Sequence, residues 1–204
     1  MDRFSAKKLT KEKRLSQTCK VFELKIDKSH LSQKSLKHLY SLFTEAKWFY
    51  NYCLSLKDID TADYTAKSVP VKVKDEFEER NFTVLKGQMK QSIKTRTFGS
   101  LKSLSALKKK GKKVGWLKFK SHVDSVPLVQ LGTEKHSGTY YLDKENSRVR
   151  IQGMKQWLRV RGLEQIKDGV DIANAVLVRK CDDFFVNITT FENKTESVVP
   201  EVSI

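Results

Sequence analysis

The chain reads as an α+β protein, a small β-barrel with an inserted helical bundle, and three observations carry that reading. Its first regular segment alternates apolar and polar residues with the period of a strand. Two longer segments then repeat every three or four residues, the period of a helix. From Val126 onward, short strand-like runs separated by turn residues take over. With 204 residues and 39% apolar side chains, a chain of this size should bury roughly 70% of its unfolded surface.

In residues 19–26, Phe22, Leu24 and Ile26 alternate with Glu23 and Lys25, which predicts a half-buried strand. Leu36, Leu39, Phe43, Ala46, Tyr50 and Cys53 then recur at helical spacing, with Ser32 and Ser35 as candidate N-caps, predicting a helix over 33–56. The polar stretch 57–80 contains Pro70 and the charged run Asp75, Glu76, Glu78, Glu79 and Arg80, and reads as a connector plus a short helix. A second long helix follows from the seam Leu85, Met89, Ile93, Thr97, Leu101, Leu104 and Leu107, with Lys86, Lys90, Lys94 and Lys102 pointing away and Gly111 as C-cap. Strand-like runs come at 128–131, 138–142, 148–151 and 157–160, and two stronger ones, 173–180 and 184–191, flank a three-residue loop, Cys181-Asp182-Asp183. The first strand has no neighbour in sequence, so it is expected to pair with the late ones. That makes residues 1–30 plus 124–196 a barrel, 31–123 a helical insertion and 197–204 a tail.

Charge narrows the function. There are 40 Lys and Arg against 24 Asp and Glu, a formal net charge of +16. Such an excess repels itself in the compact state, so it points to a polyanionic partner, with nucleic acid foremost. No run of about 18 apolar residues offers a membrane span, and the basic residues 1–14 are not followed by a signal-peptide core. A cytoplasmic protein is expected, and three scattered cysteines fit a reducing compartment.

The densest basic segment is Lys108, Lys109, Lys110, Lys112, Lys113, Lys118 and Lys120, interleaved with Trp116 and Phe119. Its ammonium groups can meet phosphates, while its rings either stack on bases or anchor the segment to the core. A second cluster, Arg148, Arg150, Lys155, Arg159 and Arg161, alternates along predicted strands and should line one sheet face with guanidinium groups, which suit phosphate. Lys86, Lys90 and Lys94, four residues apart, should share one helix face that could track a backbone or enter a major groove. No catalytic group is apparent. The four histidines lack metal-ligand spacing, and Gly-Lys-Lys-Val-Gly lacks the Gly-Lys-Ser/Thr ending of a phosphate loop.

Two pieces of sequence carry a family resemblance: Trp48-Phe49-Tyr50-Asn51 on the first long helix, and Gly111-Lys112-Lys113-Val114-Gly115-Trp116-Leu117-Lys118-Phe119-Lys120 after the second. In this order, followed by a strand-rich region with Val176-Leu177-Val178-Arg179-Lys180, they resemble the N-terminal half of TnpB, the transposon-encoded RNA-guided nuclease family related to type V CRISPR effectors. The resemblance implies that the barrel is a wedge domain and the insertion a recognition domain, together gripping a structured guide RNA and reading double-stranded DNA beside the target. It implies that Lys86, Lys90 and Lys94 lie along the motif-reading helix, with Gln130 and Thr133 nearby. Lys90 stands where the family often has glutamine, and Leu117 where it often has proline. Family members continue into a RuvC-type nuclease half that begins with Gly-x-Asp-x-Gly, whereas this sequence ends at Pro200-Glu201-Val202-Ser203-Ile204. The chain alone is therefore expected not to be an enzyme and to need no cofactor. Mg2+ would enter only with a nuclease half, supplied by another chain or by the rest of a longer protein; as a truncation the chain would instead act as an RNA-guided repressor, and a second copy of itself is a further candidate partner. The alternative reading is an unguided basic RNA/DNA-binding regulator or RNA chaperone.

Overall fold

The computed structural model describes residues 3–133 and 136–194. A first helix, α1 (Arg3–Leu15), was not anticipated from the sequence because it lacks an apolar stripe. It is held by charge instead: Lys13 and Arg14 both reach the Asp171 carboxylate at 2.9 Å, and the Arg14 guanidinium lies 3.7 Å over the Phe191 ring. The alternating segment forms β1 (Gln17–Ile26), and the first long helix is α2 (Gln33–Ser55), close to the expected bounds.

Between α2 and the next helix the chain makes a hairpin of β2 (Ser68–Val73) and β3 (Glu76–Asn81) rather than a connector with a short helix. Clustered like charges are costly on one helix turn but tolerable on a strand exposed to water on both faces, and every residue of β3 is exposed. The second long helix is α3 (Gly87–Lys109). It ends as expected at Gly111, whose φ of 73° belongs to the left-handed region, with the Lys112 N–H donating to the Leu107 carbonyl and the Gly111 N–H to that of Lys108.

The remaining strands are β4 (Ser125–Leu128), β5 (Tyr140–Asp143), β6 (Arg148–Ile151), β7 (Leu158–Arg161), β8 (Asp171–Lys180) and β9 (Asp183–Asn193). With β1 they form one seven-stranded antiparallel sheet in the order β4-β8-β9-β1-β7-β6-β5. The first strand thus pairs with the late ones, as its isolation predicted. The sheet nearly closes: beyond β4, Leu131 bridges to Tyr140, and the Gly132 N–H donates to the Tyr140 carbonyl at 2.7 Å. The β8–β9 loop is one residue shorter than expected. Asp183 already pairs with Lys180, and Cys181 takes the strained φ of 52°.

Leu24, Ile26, Val126, Leu128, Val149, Ile151, Leu158, Val160, Leu177, Val186 and Ile188 fill the barrel interior, in one continuous cluster with Leu39, Leu42, Phe43 and Phe49 of α2 and Met89 of α3. Phe184 is the hinge of that junction, stacked on Phe43 at 5.9 Å and edge-on to Tyr40 at 5.2 Å. Gln156, in the turn before β7, ties the start of α2 to the barrel by accepting from Ser32 and Ser35 while donating to the His30 carbonyl at 2.6 Å.

The start of α3 is set by one buried carboxylate. Glu45 on α2 is 3% exposed, and it accepts hydrogen bonds from the backbone N–H groups of Thr83 (2.9 Å), Val84 (3.0 Å) and Leu85 (2.7 Å), and from the Thr83 hydroxyl (2.6 Å). Those N–H groups precede the helix and would otherwise be orphaned. Glu45→Ala is expected to cost about 3 kcal/mol of unfolding free energy in urea denaturation, and Glu45→Gln, which keeps one acceptor oxygen, about half of that.

Cys53 is buried in α2, and burial pushes its thiol up to about 11, whereas Cys19 and Cys181 are exposed. Because the thiolate is the nucleophile, iodoacetamide at mildly alkaline pH should alkylate Cys19 and Cys181 in the native protein and Cys53 only after denaturation, as counted by mass spectrometry.

Candidate nucleic-acid interface

The apolar seam of α3 does not stay buried. Met89, Ile93 and Thr97 face the core, but Leu101 and Leu107 are 39% and 44% exposed, so the last three turns project from the body as an arm. The return segment doubles back along that arm, and Leu101, Leu104, Val114, Trp116 and Leu117 border a cleft of about 580 Å³. Trp116 and Phe119 are 82% and 65% exposed, which settles the choice left open by the sequence: neither ring is a core anchor. The Lys108 ammonium lies 5.8 Å from the Trp116 ring.

The segment is fixed by α2. The Asn51 amide clamps the Lys120 backbone at two points, donating to its carbonyl and accepting from its N–H, both at 2.9 Å. The Tyr50 hydroxyl donates to the Lys118 carbonyl at 3.4 Å, and the Lys120 ammonium sits 4.6 Å over the Tyr50 ring. A side-chain amide that mimics a strand neighbour in this way leaves the lysine side chains outside. Lys108, Lys109, Lys110, Lys112, Lys113, Lys118 and Lys120 are all exposed, and none has a carboxylate partner among the described residues.

On the barrel, β6 and β7 bury Val149, Ile151, Leu158 and Val160, so Arg148, Arg150, Arg159 and Arg161 lie on the outer face as alternation requires. Arg148 is paired across the strands with Arg159. They differ in how free they are. Arg148 is bound to Asp143 at 2.9 Å, and Arg159 donates to the His30 imidazole at 2.8 Å. Arg161 is exposed beside Lys25, Lys28 and Asp183, and Lys155 is exposed in the β6–β7 turn. Arg150 has rings on both sides, with its guanidinium carbon 4.6 Å from the Tyr141 centroid and 4.9 Å from that of Trp157.

The lysine face expected on α3 is not there. Lys86 is exposed, but Lys90 is 5% exposed, its ammonium donating to the Ala66 carbonyl and lying 4.6 Å over the Phe82 ring. Burial pushes its pKa below the ordinary lysine value, against the opposing pull of Asp63 and Glu45. Lys94 is turned inward too, onto the Asp60 carbonyl, with the Asp60 carboxylate at 3.7 Å. A four-residue step advances slightly more than one helical turn. The stripe therefore drifts into the groove where α3 packs on the loop after α2, and two of the three cations serve as internal ties.

At the barrel end, Gln130 and Thr133 are exposed. Gln130 accepts from the Gln88 amide of the first α3 turn at 2.8 Å, which places Gln88 and Gln130 on one surface. Gln88, Tyr141, Trp157 and the role of Asn51 were missed at the sequence level. Only the polar-aromatic spacing of Tyr141, Arg150 and Trp157 carried a signal, and strand register was needed to make it meaningful. Among the described residues no cluster of His, Cys, Asp or Glu is arranged to hold a metal, and no helix is long and apolar enough to cross a membrane.

Because Trp116 is solvent-exposed, Trp116→Ala should leave the unfolding free energy within about 0.5 kcal/mol of the parent. If nucleobases use the ring, the same change should weaken single-stranded RNA binding about tenfold, measured by fluorescence anisotropy. No protein-family model and no curated protein sequence matches the chain.

Proposed function

We propose that this chain is the nucleic-acid-gripping half of a TnpB-like RNA-guided system. In this reading the barrel acts as the wedge and residues 31–123 as the recognition segment. Together they hold a structured guide RNA and meet the duplex beside the target, whose sequence is read chiefly by base pairing with the guide. Cleavage belongs to a RuvC-type half on another chain or in the rest of a longer protein, and Mg2+ acts there.

The observation that carries this reading is the run of unpaired lysines at 108–120 with two exposed rings beside it. A cation bound to a carboxylate must break that pair to meet a phosphate, and among the described residues these lysines have none to break. A second point supports the resemblance. Its two motifs lie almost seventy residues apart in sequence, yet they meet through the Asn51 clamp on Lys120. Lys90 is buried on the Ala66 carbonyl, and Lys94 is half-buried and turned onto Asp60, so neither is held ready for a groove. The motif-reading surface proposed in their place is Lys86, Gln88 and Gln130, whose amides suit an adenine edge.

Expressed together with its genomic flank, the protein should co-purify with one defined structured RNA; heterogeneous RNA alone would instead favour the unguided regulator or chaperone. With about 6 to 10 phosphate contacts, affinity should fall by on the order of 10³ to 10⁵ between 50 and 200 mM salt. Replacing Lys108, Lys109, Lys110, Lys112 and Lys113 by Ala should reduce the slope of log K against log salt by about 3.5 to 4.5. A flat salt response in the parent would sink the proposal.

A further inference from the structure

The arginine face contains a site that differs from the rest of the basic surface. Tyr141 on β5, Arg150 on β6 and Trp157 just before β7 line an open cleft of about 660 Å³, together with Gly132, Thr133, Ser137 and Leu142. Its volume falls in the range of small-ligand pockets. Strand pairing builds it: Tyr141 is the direct cross-strand partner of Arg150, so ring and guanidinium share the outer face by register.

The Tyr141 ring is held in place. Its hydroxyl accepts from the Gly138 N–H at 3.1 Å, and the ring lies so close to Gly132 that a Cβ there would come within 2.1 Å of Cε1. Any residue larger than glycine at 132 would displace the ring. On its other flank stands the Arg150 guanidinium, followed by Trp157 at 4.9 Å. With aromatic groups on both sides, the N–H groups at the edge of the guanidinium are its available donors. None of them meets a protein acceptor among the described residues, whereas Arg148 and Arg159 on the same face are each engaged. Trp157 and Arg150 are only half-buried, so the cleft offers an aromatic surface and an unspent planar cation side by side.

We infer that the Tyr141–Arg150–Trp157 cleft takes one unpaired RNA nucleotide, its base against Trp157 and its phosphate or base edge on the Arg150 fork. Stacking on an aromatic ring needs a base free of its helix, and a guanidinium fork matches two oxygens of a phosphate or the O6 and N7 acceptors of guanine. Arg148 stands two residues from Arg150, about 6.7 Å along the strand, and Arg159 lies across from it. Both are already engaged, Arg148 by Asp143 and Arg159 by His30, so the fork of Arg150 is what this face offers a nucleotide. The lysine arm, by contrast, offers charge to any polyanion. The inference rests on the nucleic-acid reading above and adds to it a distinction between single-stranded and double-stranded RNA.

The test uses fluorescein-labelled oligoadenylate of about twelve nucleotides and an RNA duplex of about twelve base pairs, titrated by anisotropy against the parent and the variants Trp157→Ala, Trp157→Phe and Arg150→Ala. Trp157→Ala and Arg150→Ala are expected to weaken the single strand about tenfold while changing duplex affinity by less than about twofold, and Trp157→Phe to recover most of the loss. In a Trp48→Phe/Trp116→Phe background, where Trp157 is the remaining tryptophan of three, the oligoadenylate should quench the emission. That measurement stands even if Trp157→Ala fails to fold. Unchanged single-strand affinity in Trp157→Ala, equal losses on both probes, or absence of quenching would overturn the nucleotide site while leaving nucleic-acid binding intact. A parent protein that binds neither probe at low salt would overturn the broader reading first.

Discussion

The arrangement of this molecule depends on the buried Glu45 carboxylate. It sits in the middle of α2 and gathers the three consecutive N–H groups that lead into α3, so it sets both where the second helix begins and how it lies against the first. A buried carboxylate is costly unless every acceptor position is used. Here the cost is met by backbone donors that would themselves be unsatisfied. Position follows from this along the rigid helix. With α3 rising 1.5 Å per residue, a small error at Leu85 would displace the basic arm beyond Lys108 by ångströms. The Asn51 clamp on Lys120, six residues along α2 from Glu45, fixes the other end of the same excursion. One helix thereby holds both ends of the segment that carries the unpaired charge.

The distribution of ion pairs explains why the net charge of +16 is concentrated rather than uniform. On the side of the barrel formed by β1, β8 and β9, cations are matched: Lys20 with Glu192, Lys25 with Asp183, and Lys180 with Glu23. Four more acidic residues, Asp75, Glu76, Glu78 and Glu79, lie in the exposed β2–β3 hairpin, and among the described residues none is paired with a lysine of the arm. Exposed pairs of this kind contribute little to stability. Their effect is electrostatic: they quench part of the field of that face, whereas the lysines of the arm and Arg150 carry no carboxylate partner among the described residues.

Barrel and helices share a single apolar cluster around Phe184, Phe43 and Phe49. Phe184 is the second residue of β9, close after the tight turn at Cys181, so the turn and the helix–barrel junction adjoin. This shared core packs the helical segment directly against the sheet. Surfaces on both, such as that formed by Gln88 of α3 and Gln130 after β4, can therefore act as one.

Much of the architecture was legible in the residues themselves, because its causes are local. Alternation at Phe22, Leu24 and Ile26 and the helical spacing of Leu39, Phe43 and Ala46 reflect backbone periods of two and 3.6 residues. Gly111 marks a helix end because only a residue without Cβ adopts that φ freely. The positive segment at 108–120 was legible because charge density is a property of composition. Tertiary structure decided the rest. It turned Lys90 and Lys94 inward, since whether a helix face meets water or a neighbouring loop depends on chain segments distant in sequence. It made the acidic run a hairpin, because propensity at Glu76–Asn81 yields to pairing with Ser68–Val73. It also assembled Tyr141, Arg150 and Trp157 into one cleft, because strand register, a long-range quantity, determines which side chains become neighbours.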